Sequence, residues 1–102
     1  MIVDEKFLDM YVLMCRTISK PDRLRIIDLV SDKKMNVSAI QKKMDISMSS
    51  LSNHLNDLYK VGVLSKEKDG KLVFYYLTDP NLITSIGEMH KVIKSIFNKR
   101  GK

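Results

Sequence analysis

The residues whose types and spacing suit them to recognise a ligand lie between Val37 and Leu77, and their chemistry is hydrogen bonding and charge pairing. Met48, Ser49, Ser50, Ser52, Asn53 and Asn56 are small or amide side chains interleaved with Leu51, Leu55 and Leu58. If that stretch is a helix, the leucines form its buried stripe, and the other face carries hydrogen-bonding groups with almost no charge. A helix that enters a DNA major groove needs such a face, because bulky charged side chains would hold it away from the base edges. Lys66, Lys68 and Lys71 follow around Asp69-Gly70, where they could lie against phosphates. The plainer alternatives are a solvated face that happens to be rich in serine, and lysines that protect a hairpin edge. Bond-making chemistry finds no support. No nucleophile and base stand at a readable spacing, no glycine loop could cradle a phosphate, and the chain has four glycines and two histidines.

The elements that must position these groups can be read from hydrophobic period. Val37, Ile40 and Met44 recur at steps of three and four, as on one face of a short helix. Asp45-Ile46-Ser47 breaks that pattern, and the Ser47 hydroxyl can accept an orphan N–H at the start of the next helix. Leu51, Leu55 and Leu58 with Val61 carry that helix to a stop at Gly62. The period then becomes alternating from Val63 to Glu67, Asp69-Gly70 signals a two-residue turn, and Leu72 to Leu77 returns as a second strand. The expected fold is mainly α with a small β-hairpin, a winged helix-turn-helix. Its order is four helices, two strands and a final helix. One domain spans residues 1–102, with the helix-turn-helix at 37–61 and the wing at 62–78.

Charge agrees with this placement. Residues 1–32 hold five basic and six acidic side chains, residues 33–72 eight and four, and the remainder five and two, for a total of +6. The basic excess therefore begins where the reading unit begins, which favours a polyanionic partner without distinguishing specific from non-specific binding. No apolar run approaches the roughly 18 residues of a membrane span and the first residues lack a signal-peptide pattern, so a cytoplasmic protein without membrane contact is expected. The lone Cys15 excludes a disulfide within one chain and a cysteine-rich zinc site. On an apolar helix face it reads as a small buried hydrophobe, although a Cys15 to Cys15 link between two chains is conceivable.

The two ends are more apolar than a small core requires. Phe7, Leu8, Tyr11, Val12, Met14, Cys15 and Ile18 share a helical face that ends near Ser19-Lys20-Pro21. Pro21 suits the first turn of the next helix, whose stripe is Leu24, Ile27 and Val30. Leu82, Ile86, Met89, Ile93 and Ile96 then recur at steps of four, three, four and three, a heptad-like seam widened by Ile83 and Phe97. A homodimer is expected, built from helices within 1–19 and 80–99 and centred on Phe7, Tyr11, Met14, Leu82, Ile86, Met89, Ile93 and Ile96. The alternative is that both helices fold back on their own core.

The sequence resembles the ArsR/SmtB family of bacterial and archaeal winged-helix repressors over roughly residues 5 to 97. Ser19-Lys20-Pro21-Asp22-Arg23-Leu24-Arg25-Ile26-Ile27 is similar to the family's second-helix signature, and the run from Met48 to Leu58 to its recognition helix. Tyr59-Lys60-Val61-Gly62-Val63-Leu64 resembles the passage into the wing, and Phe74-Tyr75-Tyr76-Leu77 the wing's second strand. The resemblance implies a dimeric repressor in which Ser49, Ser50, Ser52 and Asn53 face bases and Met48 meets a thymine methyl. His54 is either a base reader or a partly buried structural residue.

Many members of that family sense metals, and here the chain departs from it. Where the family's third-helix site has a Cys-x-Cys motif, this chain has Met35-Asn36-Val37-Ser38. Where the fifth-helix site pairs Asp-x-His with His-x-x-Glu or His-x-x-His, it has Asp79-Pro80-Asn81, and His90 is followed three positions later by Ile93. Thioethers and amides are poor substitutes for the thiolate, imidazole and carboxylate ligands of Zn²⁺. No cofactor and no metal site are expected, although His90 with Glu88 or Asp79 could form a weak site between subunits. The resulting expectation is a sequence-specific DNA-binding repressor and not an enzyme. The alternatives are a winged-helix protein-interaction module and a non-specific architectural DNA-binding protein.

Overall fold

The computed structural model describes residues 2–101. A 3-10 turn at Glu5–Phe7 leads into α1 (Leu8–Ile18), and extended backbone at Lys20 places Pro21 at the first position of α2 (Pro21–Leu29). A two-residue strand, β1 (Met35–Asn36), is followed by α3 (Val37–Lys42), α4 (Met48–Lys60), β2 (Leu64–Asp69), β3 (Leu72–Leu77) and α5 (Asn81–Arg100). The architecture is the expected winged helix-turn-helix, with one more strand than the sequence implied. β1 pairs antiparallel with β3, Met35 opposite Tyr75 and Asn36 opposite Phe74, so the sheet order is β1-β3-β2. A two-residue strand contains no period from which it could be read.

Local signals fix the ends of the helix-turn-helix. The Asn36 side chain accepts from the Ala39 N–H at 2.8 Å and starts α3. Ser47 Oγ accepts from the Ser50 N–H at 3.1 Å and starts α4, as its position implied. At the far end Gly62 adopts φ +89°, its N–H reaching the Tyr59 carbonyl at 3.1 Å while Val63 N–H reaches Leu58 at 3.0 Å. This is a Schellman closure, and it turns the chain into the wing. In the wing, Asp69 pairs with Leu72, so the two loop residues are Gly70 and Lys71, one position later than the Asp69-Gly70 signal suggested. Gly70 alone has positive φ, +65°, as a type II′ turn requires at its first central position.

The core gathers Ile18, Ile26, Ile27, Val30, Ile40, Leu51, Leu55, Leu58, Val63, Leu64 and Leu77. In α2 the inward face runs through Arg23, Ile26 and Ile27 to Val30 at its C-cap, and Leu24, expected in that stripe, is exposed. The true stripe keeps helical spacing but begins with a charged residue, which hydrophobic period alone passes over. α5 is the outlier of the fold, since it contains no buried residue. Only Leu82, Ile83 and Ile86 pack against the core, and every position from Gly87 to Arg100 is exposed. The radius of gyration is accordingly 15.3 Å, against about 13 Å for a compact chain of this length. Among the described residues no helix is long and apolar enough to cross a membrane.

Candidate nucleic-acid interface

α4 buries Leu51, Leu55 and Leu58 and leaves Met48, Ser49, Ser50, Ser52, Asn53 and Asn56 exposed. Helical geometry puts Ser49, Asn53, Asn56 and Lys60 in one row directly opposite the leucines, with Ser50 and Ser52 on its two shoulders. Lys60 is exposed and continues the Asn56 row by four residues. Its spacing was visible in the sequence, but its charge set it apart from the neutral face. Among the described residues the side chains of Ser50, Ser52, Asn53 and Asn56 make no hydrogen bond within the protein, whereas Ser49 Oγ lies 3.2 Å from Ser47 Oγ. Apart from Ser49, the exposed face of the helix therefore presents hydrogen-bonding side chains that are unspent among the described residues.

The wing adds positive charge beside this row. Strand register puts Lys66 and Lys68 on one face of the hairpin with Leu64, Val73, Tyr75 and Leu77, and Lys71 in the turn. Lys66 Nζ stands 4.3 Å from the centre of the Tyr59 ring, joining the wing to the last turn of α4. Glu67, on the opposite face, is held by Lys34, whose ammonium also lies 5.2 Å from the Phe74 ring centre. The hydrogen bond and the charge of Glu67 raise the pKa of Lys34. Among the described residues Lys66, Lys68 and Lys71 form no ion pair.

A buried arginine sets the position of α4 in the fold. Arg23 is 6% exposed and its guanidinium spans three helices. Nε donates to His54 Nδ1 at 3.0 Å, Nη1 to the Thr17 carbonyl at 3.0 Å, and Nη2 to Asp57 Oδ2 at 2.5 Å. His54 is partly buried on the α2 side of α4, its Nε2 3.9 Å from Asp22 Oδ2, and is thus a structural partner within the protein. Sequence reasoning missed Arg23 and Asp57. The signal for Arg23 was a charged residue at a position that continues the buried stripe of α2, whereas Asp57, 46% exposed and three residues after His54, lies off the leucine stripe and offered none.

Of the residues assigned to the dimer, Phe7, Tyr11, Met89, Ile93 and Ile96 are exposed, while Met14, Leu82 and Ile86 are partly covered by the chain's own core. Cys15 is exposed in this single chain rather than buried, because it lies on the same open side of α1. His90 is exposed, Glu88 pairs with Lys91 at 3.1 Å, and Asp79 accepts from the Asn81 N–H at 2.9 Å. Among the described residues no three His, Cys, Asp or Glu side chains converge as metal ligands would.

Comparison with known proteins agrees with this geometry. Residues 20–66 match the family model described as bacterial regulatory protein, arsR family. The transcriptional repressor SdpR of Bacillus subtilis is 35% identical over 74 residues, which are 72% of this chain and 82% of SdpR. The chain belongs to the ArsR family. A second relative of this ArsR-family chain is the cadmium resistance transcriptional regulatory protein CadC of Listeria innocua, 36% identical over 69 residues. That match covers 67% of the chain and 58% of CadC, so the chain spans little more than half of that relative's length. The crystal structure of Mycobacterium tuberculosis Rv0081 superposes with a TM-score of 0.85 at 22% identity, covering 97% of this chain and all of Rv0081.

Proposed function

We propose that this ArsR-family chain is a homodimeric, sequence-specific DNA-binding repressor that no recognised metal site controls. The observation that carries the reading is the exposed polar face of α4, where among the described residues the Ser50, Ser52, Asn53 and Asn56 side chains make no hydrogen bond and the wing lysines beside them form no ion pair. Ser49, Ser50, Ser52, Asn53 and Asn56 would read base edges, with Met48 against a thymine methyl. Lys66, Lys68 and Lys71 would hold the flanking backbone. SdpR is named a repressor, and repression here would follow from occupancy that blocks polymerase. CadC is named for cadmium resistance, whereas among the described residues here no three His, Cys, Asp or Glu side chains converge within one chain.

The dimer rests on α5. The 14 residues from Gly87 to Arg100 are all exposed, a length that is marginal as an isolated helix, and the α5 row of Met89, Ile93, Ile96 and Phe97 is open together with Phe7 of the 3-10 turn and Met10, Tyr11 and Leu13 of α1. A second copy is the occupant that would also serve the reading helix, since a twofold pair would set two α4 helices on successive major grooves roughly 34 Å apart. The test is fluorescence anisotropy of chelator-treated protein with DNA selected from a random pool and with scrambled DNA, at two salt concentrations. A preference for the selected DNA of about a thousandfold or more supports the reading. Equal affinities that collapse together with salt would make it an architectural binder, and no binding would leave an interaction module.

A further inference from the structure

The Arg23 cluster contains a titratable group whose hydrogen bond exists in one protonation state only. An arginine nitrogen is a donor at any pH a folded protein meets. The 3.0 Å bond from Arg23 Nε to His54 Nδ1 therefore requires a lone pair on Nδ1 and puts the ring proton on Nε2, the atom that faces Asp22. A second proton would aim two N–H groups at each other across that distance and set two positive charges side by side. The guanidinium has little freedom to give way. It is buried, its other nitrogens are committed to Thr17 and Asp57, and only the imidazole can leave.

We propose that His54 is a proton-operated latch between α2 and α4, so that protonation of its ring releases the reading helix and weakens DNA binding. The DNA half of this inference rests on the function proposed above. His54 follows Asn53 directly and shares a turn of helix with Ser50 and Asp57, so any displacement of the ring is carried to the face that would meet bases. Arg23 from α2 opposes the charged ring, whereas Asp22 from α2 and Asp57 on α4 favour it, and Arg25 engages Asp22 at 2.9 Å. α1 contributes the Thr17 carbonyl, which holds the Arg23 guanidinium. Asp22 gives the protonated ring somewhere to turn, which is what a two-position latch needs. The direction of the effect is diagnostic: a histidine acting only through its charge would tighten DNA binding on protonation, because added positive charge attracts phosphate.

The experiment measures affinity for selected DNA at constant ionic strength from about pH 8 down to about pH 5.5, the interval in which imidazoles change charge. It compares the unaltered protein with His54→Asn, whose Oδ1 can accept from Arg23 without titrating, and with His90→Asn. The unaltered protein and His90→Asn should weaken roughly tenfold as pH falls, while His54→Asn stays level. Affinity that is level or rises in the unaltered protein, or a step that survives in His54→Asn, overturns the latch. A parallel NMR titration of the DNA-free protein follows the Arg23 Nε–H and the His54 ring. Loss of the arginine signal with the midpoint of His54 supports the latch, and a signal unchanged through that midpoint overturns it. Failure to bind any DNA near pH 8 would refute the proposed function alone, and the NMR titration would still decide the latch.

Discussion

Replacing Ile93 tests the open face of α5 without touching the core. Ile93 is 55% exposed and is flanked on the same seam by Met89 at 58%, Ile96 at 50% and Phe97 at 72%, none of which packs against the buried cluster. Covering the open half of an isoleucine side chain is worth about 1 kcal/mol, and a twofold interface counts the residue twice. Ile93→Ala should then weaken the dimer by about 2 kcal/mol, roughly thirtyfold in dissociation constant. Ile93→Asp adds the desolvation of two carboxylates and should give monomer at micromolar concentration. Sedimentation equilibrium over a concentration series reads the constants, and circular dichroism checks the fold. Core ellipticity should persist in Ile93→Asp, with loss confined to fraying of the far half of α5, because an unpartnered helix of that length is marginal. Equal association constants for the three proteins, or a monomeric unaltered protein, would refute the reasoning.

Arg23→Leu leaves His54 Nδ1 and the Thr17 carbonyl without their donor. Asp57 is 46% exposed and regains water, so the loss should be about 2 kcal/mol rather than that of a fully buried pair. That corresponds to roughly 10 °C in a thermal melt. A melt unchanged within a degree or two would show that the guanidinium does not brace the helices. Lys68→Ala and Lys71→Ala should weaken binding to selected and scrambled DNA alike and lower the slope of log affinity against log salt by about 1 each. An unchanged slope would remove the wing from the phosphates. Lys34 has its pKa raised by Glu67, so its contribution to stability is present below the ordinary lysine value and is lost as pH rises through the higher folded value. Denaturation midpoints of the unaltered protein and Lys34→Met should differ near neutral pH and converge in strong alkali, and a difference that widens there would contradict the sign.

The helix-turn-helix was legible because its signals are local. The leucine spacing, the Ser47 cap and the Gly62 stop each act over four or five residues, and each survives in the structure. β1 was not legible, since two residues acquire strand character only from Phe74 and Tyr75, far away in the chain. The hairpin loop moved by one position because register depends on which residues pair across it, and Asp69 keeps its partner Leu72. Arg23 was hidden for a related reason. A charged side chain enters a core only when acceptors from other elements meet it, and those acceptors lie 31 and 34 residues away at His54 and Asp57. The polar face of α4 was legible as composition, and the structure adds that its groups are exposed and that Lys60 continues the row.

The most direct test of reading by α4 is a comparison of Asn53→Ala with the unaltered protein on selected DNA and on each of its single-base variants, at one salt concentration. If Asn53 reads a base edge, the substitution should weaken binding to selected DNA by about 1–3 kcal/mol and abolish the preference at one base position while preferences elsewhere remain. A uniform loss of affinity across all the variants, or none, would contradict it.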